Sequence, residues 1–318
     1  MALQTAAVVV SYNSRQDLPS CLEGLLGARS LASAIVVDNG SGDGSAEVAR
    51  ECGDRRVESL ELSTNTGFAG GCNRGLAALP TDIPYVAFMN PDVVVEPDCL
   101  HRCAEVLEAR SDVAGVAPLL MRRDRSTVDS VGQVLRPYTL EVRDRGYGEP
   151  LAHDLRRPTR VLAACGALAV YRRSALAAVA DEHGPWPEHY FCFWEDLELG
   201  WRLTNRGWKV MTAPGAVAVH GRGAGASEGA GRLRWRRPPE LEACVLTNRW
   251  MTLIRHLHSL DAIRRLPLLL LWDKAVLAVS CLRRPQLMVH LKRRWPLVYR
   301  EWRHREHFPR RRLSELPW

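Results

Sequence analysis

The stretch "AIVVDNGSGDGS", Ala34 to Ser45, carries three local instructions in order. A β-branched run asks for a strand, a Gly/Ser/Asp loop asks for a sharp turn, and residues from Ser45 to about 52 follow a helical pattern. The strand gives way to the loop at a carboxylate, Asp38. The unit repeats on both sides: "TAAVVVS" (Thr5–Ser11), "RVESLEL" (Arg56–Leu62), "YVAFMN" (Tyr85–Asn90) and "VAGVAPL" (Val113–Leu119) also read as strands. Helical patterns fall between them at about 15–27, 70–79 and 99–109. Strands separated by helical crossovers imply an α/β fold, a mainly parallel sheet with helices on both faces. Such sheets bind ligands beyond the carboxyl ends of their strands. The polar strand ends are therefore the candidate binding residues: Tyr12 and Asn13, Asp38 and Asn39, Asn90 and Asp92.

Composition narrows the class. With 318 residues, 46% hydrophobic and 25% charged, the chain is globular and suits one large domain with an appendage. Its nine cysteines are scattered and never spaced C-x-x-C, which favours reduced cytosolic thiols over a disulfide framework or zinc site. "MALQTAAVVVSYN" reads as a first strand rather than a signal peptide. "LPLLLLWDKAVLAVSCL" (Leu266–Leu282) holds Asp273 and Lys274 at its centre and is too interrupted for a transmembrane span. Charge is uneven. Residues 1–220 hold 22 Lys+Arg against 28 Asp+Glu, and residues 221–318 hold 21 against 8. An acidic body precedes a basic, helical C-terminal region.

Three acids follow the bulky Phe191, Phe193 and Trp194 in "FCFWEDLELGWRL" (Phe191–Leu203). Acids at a helix start complement the macrodipole, whereas acids pressed against aromatics are penalised in their charged form. A cap and a catalytic base are both open readings of this stretch alone. The Asp38 loop likewise suits either a ligand grip or a well-capped turn, and "FMNPDVVVEPD" (Phe88–Asp98) places Asp92 just past a strand behind Pro91, which a common Pro-Asp turn would also explain.

Taken in order, "VVVSYN", "VVDNGSGDGS", "NTGFAGGCNRG" (Asn65–Gly75), "FMNPD", "CGALAVYRRSAL" (Cys165–Leu176), "FWEDLELGWRLTNRGW" (Phe193–Trp208) and "VAVHGRG" (Val217–Gly223) resemble glycosyltransferase family 2, the inverting enzymes of the GT-A fold, in its rhamnosyltransferase-like branch. The resemblance spans roughly residues 5–225 and implies a catalytic domain over 1–225 with a basic amphipathic helical region over 226–318. It implies nucleotide-sugar contacts at Tyr12, Asn13, Asp38, Asn39, Gly67, Asn73, Arg74 and Asn90, with Asp38 on the base, and with Gly70 and Gly71 allowing close backbone approach. Asp43 is read as a turn residue. It implies Mg²⁺ or Mn²⁺ held by Asp92 and His220. Asn90-Pro91-Asp92 departs from the family's Asp-x-Asp, leaving Asp92 as the chief carboxylate. It places the general base on Asp196, with Glu195 orienting it or binding acceptor, while Glu198 is read as surface or cap. Phe193 and Trp194 either stack on sugars or pack, and Trp201 packs. The implied donor is a dTDP- or UDP-sugar, dTDP-rhamnose in this branch, and the implied acceptor a cell-envelope glycan or lipid-linked saccharide.

Two rival readings follow from other residues. "GRGAGA" (Gly221–Ala226) fits a dinucleotide fingerprint in spacing only, because no apolar helix follows; Gly221–Gly231 is better read as a lid over the donor. An arginine-rich nucleic-acid-binding protein without sugar-transfer activity is the alternative from a different class. Only three of the 43 basic residues are lysine, so arginine richness is chain-wide and nucleic acid is disfavoured. Apolar residues at helical spacing among the basic ones (Leu246, Trp250, Leu253, Leu257, Leu260; Leu287, Leu291, Val298, Trp302) suit either an anionic membrane surface on the cytoplasmic face or packing on the core. Residues 126–160 are irregular and carry no functional expectation.

Overall fold

A computed structural model describes residues 3–221, 237–305 and 309–317. The chain opens with β1 (Thr5–Ser11), α1 (Leu18–Leu26), β2 (Leu31–Asp38), α2 (Ser45–Arg50), β3 (Val57–Glu61), α3 (Gly67–Ala78), β4 (Tyr85–Met89), β5 (Val93–Val95) and α4 (Cys99–Ala109). It continues through β6 (Val113–Arg122), β7 (Val128–Ser130), β8 (Gln133–Leu135), β9 (Val142–Asp144), β10 (Arg160–Val161), β11 (Leu168–Arg172), α5 (Arg173–Ala177), α6 (Glu195–Asn205) and β12 (Lys209–His220). Three helices follow: α7 (Pro239–His256), α8 (Ser259–Arg283) and α9 (Leu287–His304).

Each strand expected from the sequence forms. The ten-stranded sheet runs β10-β12-β6-β11-β4-β1-β2-β3, with β5 added on β12 and β7 on β6. β3, β2, β1 and β4 are parallel, as are β6 and β12, and β11 runs antiparallel between the two sets. All seven residues of β1 are buried because both sheet faces are covered. Ala7 and Val9 face α1 and α4, while Ala6, Val8 and Val10 face α3 and α6.

A third core joins the segment around α6 to the C-terminal helices. Leu162, Trp194, Leu197 and Trp201 pack with Met251, Leu253, Leu257 and Val298. α7 and α9 therefore complete the hydrophobic surroundings of α6. The expected boundary at 225 lies outside the described residues, as does all of the Gly221–Gly231 stretch beyond Gly221. Of the apolar stripe in the basic region, Leu246, Leu253, Leu257, Leu287, Leu291 and Val298 turn inward, whereas Leu260 and Trp302 remain about half exposed. Most of that stripe is core.

Candidate active site

The carboxyl ends of β1 and β2 and the chain just past β3 surround a cleft of about 590 Å³, lined by Arg15, Asp38, the Gly40–Gly44 loop and Ser63 among others. Asp38 is buried at the end of β2. Its Oδ2 accepts the Ser41 N–H at 3.0 Å, and its Oδ1 is buried without a hydrogen-bond partner. A buried acceptor left open beside a cleft is a vacancy for a donor from a ligand. Asn13 shapes the same loop, donating its N–H to Ser41 Oγ at 2.9 Å and accepting from Gly42 N at 3.0 Å. Tyr12 is 49% exposed next to it. Asp43 accepts from Arg15 N and Ser45 N, both at 3.0 Å, which fixes the turn.

Beyond β4, the sheet brings Asp92 and His220 together. β5 starts directly after Asp92 and runs antiparallel to β12, so His220 stands opposite Val93. His220 Nε2 lies 3.4 Å from Asp92 Oδ1, and Nδ1 lies 2.7 Å from Asp129 Oδ2. Burial pushes the imidazole down, but Asp129 and Asp92 outweigh it, and the ring titrates at about 9. With its Nε2 proton displaced, the imidazole together with the Asp92 carboxylate would fit a divalent ion. Asp129 holds Nδ1–H, which orients Nε2 toward the carboxylate side, the usual support for a metal-binding histidine. Among the described residues no group of three or more His, Cys, Asp or Glu is arranged for a metal. An ion here would take its remaining ligands from water and a diphosphate. Asp129 was missed because it sits on a three-residue strand in the irregular segment. Only its placement on β6, next to β12, brings it to His220.

The acids of α6 follow a strained turn. Phe191, Phe193 and Trp194 have φ of 66°, 67° and 73°, each costing about 1–3 kcal/mol for a residue with a side chain. Two contacts hold them. The Asn248 amide nitrogen on α7 lies 2.9, 2.9 and 2.7 Å from the carbonyls of Tyr190, Cys192 and Phe193. Gly67, with φ of +75°, presses so close that a Cβ there would stand 2.2 Å from the Phe191 carbonyl oxygen.

Glu195 and Asp196 emerge from this turn in different environments. Burial, then the neighbouring Asp196 charge, push Glu195 well above the carboxylate range, and its Oε2 is buried without a partner. Asp196 is also raised by burial, but it accepts hydrogen bonds that favour its charged form. Its Oδ2 receives Gly166 N–H and Gln133 Nε2, each at 2.9 Å. Gly166 precedes Ala167, whose carbonyl accepts from Asn90 N at 3.0 Å. Asp196 is thereby tied to the end of β4 that carries Asp92. Gln133, at the start of β8, is a second contributor from a segment read as uninformative.

Several of the residues expected to touch the donor make contacts inside the protein. Asn39 Nδ2 donates to Gly67 O at 2.9 Å and its Oδ1 accepts from Thr66 N at 2.8 Å. Asn73 accepts from Trp186 N and donates to Trp186 O and Glu188. Arg74 pairs with Glu188 at 2.8 Å. Gly67, Gly70 and Gly71 admit Phe191, Thr66 and Val10, so their close approaches serve packing. These residues brace the site through contacts within the protein. Asn90 remains at the strand end, beside Asp92. Trp194 and Trp201 are buried, and Trp201 stacks on His256 with centroids 5.6 Å apart. The Phe193 ring lies under the Arg237 guanidinium at 4.7 Å.

Glu198 corrects an expectation. It does point away from Asp196, yet that face is interior, and the side chain is 0% exposed. It meets Arg202 at 2.9 Å, Arg255 at 2.7 Å and His256 at 3.0 Å. Burial raises its carboxyl, but Arg202, Arg255 and His256 together hold it well below the ordinary value.

The model of the family described as glycosyl transferase family 2 matches residues 6–179. The chain is 27% identical over 235 residues to the N-acetylglucosaminyl-diphospho-decaprenol L-rhamnosyltransferase of Mycobacterium tuberculosis (strain ATCC 25618 / H37Rv), covering 67% of this chain and 74% of that protein. Its fold is similar to that of the Pyrobaculum calidifontis mannosyltransferase PcManGT, solved with GDP-Man and Mn²⁺, at a TM-score of 0.57 and 18% identity over 96% of this chain and 85% of that one. It is also similar to GalNAc-T7, solved with UDP, GalNAc and Mn²⁺, at a TM-score of 0.59 and 14% identity, covering 81% of this chain and about half (49%) of that protein.

Proposed function

We propose that this chain, which belongs to glycosyl transferase family 2, moves a sugar with inversion from a nucleotide diphosphate onto the hydroxyl of a lipid-linked saccharide. The observation that carries the reading is Asp196: a carboxylate raised by burial, held by Gly166 and Gln133, and linked through Ala167 to the strand end bearing Asp92. A base with a raised pKa is better matched to removing a hydroxyl proton near neutral pH. As the acceptor oxygen bonds to the anomeric carbon, its proton passes to Asp196 and the bond to the diphosphate oxygen breaks on the opposite face. Burial and the Asp196 charge disfavour the charged form of Glu195, which makes it the weaker base of the pair and, in its neutral form, a hydrogen-bond donor. Asp38 would receive a base N–H in the adjoining cleft. Asp92 and His220 would hold a Mg²⁺ or Mn²⁺ ion, which when bound supplies charge neutralisation for the departing diphosphate.

The rhamnosyltransferase relative supports rhamnose as the sugar and a polyprenyl-diphosphate saccharide as the acceptor; the sequence resemblance favours dTDP-rhamnose as donor, ahead of a UDP-sugar, and a site at the cytoplasmic face of a membrane. The test is a panel of nucleotide sugars, offered with a short-chain prenyl-diphosphate N-acetylglucosamine, with and without chelator. Rhamnosyl transfer with inverted anomeric configuration, lost in chelator and restored by Mn²⁺ or Mg²⁺, is expected. Turnover of no nucleotide sugar, together with salt-sensitive DNA binding, would replace this reading with the nucleic-acid one.

A further inference from the structure

α8 touches the rest of the protein along one narrow line. Asp261 accepts from Arg312, Leu269 and Ser280 are buried, and Asp273 pairs with Arg249 at 2.6 Å. The opposite face is bare. Ile263, Leu271 and Leu282 are 70%, 68% and 82% exposed. Leu260, Leu271, Ala278 and Leu282 fall within one side of the helix by its 100° step. α9 adds Met288, Val289, Trp295, Tyr299 and Trp302, each about half exposed. A monomer rarely shows water so much apolar surface on two neighbouring helices without a partner for it.

Charge identifies the partner. Residues 259–305 contain eleven lysines and arginines against three acids. All three acids point inward: Asp261 to Arg312, Asp273 to Arg249 and Glu301 to Arg255. Arg264 and Lys274 are exposed at the edges of the apolar face, and Lys292, Arg293 and Arg300 are exposed on α9. A contact between two protein copies excludes charge from its centre, whereas long basic side chains beside leucines, with Trp and Tyr among them, suit a headgroup boundary. Among the described residues no helix is long and apolar enough to cross a membrane, so the helices would lie in its plane.

We infer that the bare faces of α8 and α9 dock this protein on an anionic lipid leaflet and hold the base side of its site toward that leaflet. Arg265 donates to the Pro137 carbonyl, and Arg249 Nη2 donates to Thr139 O at 2.6 Å. These bonds fasten the loop between β8 and β9 to α7 and α8, with Tyr138 73% exposed at its tip. The same hairpin begins at Gln133, which contacts Asp196. A saccharide on a lipid anchor emerging beside Tyr138 would thus meet the base within one hairpin's length. The placement of the acceptor rests on the proposed function; the docking surface does not.

The experiment floats the full chain with vesicles of phosphatidylcholine alone or with phosphatidylglycerol. Wild type should bind the anionic vesicles at least tenfold better than the neutral ones, and less well as salt rises. The triple variant Ile263→Glu, Leu271→Glu, Leu282→Glu should lose binding at least tenfold while keeping its melting temperature. Lys292→Ser with Arg293→Ser should lose only the anionic preference. Equal binding by wild type and triple variant, or binding to neither vesicle, overturns the surface; equal binding to both vesicle types overturns the role of the basic residues. A wild-type dimer that the triple variant splits assigns the face to a second copy instead. Sugar transfer to a soluble acceptor is read without vesicles. Transfer without flotation overturns the docking surface alone; flotation without transfer overturns only the proposed reaction.

Discussion

Replacing Glu198 by glutamine removes one negative charge from the back of the helix that carries Asp196. The consequence can be worked from the partners. Arg255 would retain Glu301, at 2.8 Å. Arg202 would retain only the carbonyls of Val179, at 2.7 Å, and Pro185. One buried guanidinium is thus left without its carboxylate, for which about 3–5 kcal/mol is typical. The glutamine oxygen still accepts one hydrogen bond, so the lower end, about 3 kcal/mol, is expected. That is roughly a hundredfold in the folding equilibrium and a large part of an ordinary domain's stability. Urea unfolding followed by circular dichroism at pH 7 measures it. The pH dependence has a definite sign. Because the carboxyl is held below its unfolded value, its contribution is complete above about pH 4.3 and fades as pH falls through the lower folded value. Wild type and Glu198→Gln should therefore differ at neutral pH and converge in acid. A difference under about 0.5 kcal/mol at pH 7, as for a surface substitution, would refute the claim that this network anchors α6.

Three further outcomes address the site. Asp38→Ala should weaken binding of the donor nucleotide by roughly 1.5–3 kcal/mol, the worth of one charge-assisted hydrogen bond; calorimetry with the nucleotide diphosphate reads it. Asp129→Asn should lower Mn²⁺ affinity about 10–100-fold by releasing the His220 ring from its orienting partner, which titration of the ion in the presence of nucleotide diphosphate measures. Gln133→Leu removes a donor that favours ionised Asp196, so the acid limb of the transfer rate should move to higher pH. An unmoved limb would mean that Gln133 does not act on the base.

What the sequence reveals follows from how local the cause is. β1 is legible because burial on both faces forces an unbroken apolar run. Asp38 and Asp92 are legible because a strand end in a parallel sheet has a known destination. Glu198 is misread because its face of α6 looks solvent-exposed until α7 and α9, more than fifty residues later, deliver Arg255, His256 and Glu301. The glycines after Asn65 suggest a ligand, yet the close neighbours are Phe191 and Val10. Asp129 and Gln133 lie on strands of three residues each, too short for any periodicity. The strain at Phe191, Phe193 and Trp194 has no local signature at all, since Asn248 supplies what holds it. In the basic region the spacing of leucines finds the helices but not which face is bare.

The account stands on Asp196 as the proton acceptor. The direct measurement is single-turnover sugar transfer by Asp196→Asn beside Glu195→Gln, with donor affinity determined separately for each. Asparagine preserves size but cannot take the proton, so the rate should fall roughly 10²–10⁴-fold while the donor binds as in wild type. Near-normal transfer by Asp196→Asn, with loss of transfer in Glu195→Gln, would move the base to the neighbouring acid and contradict the account.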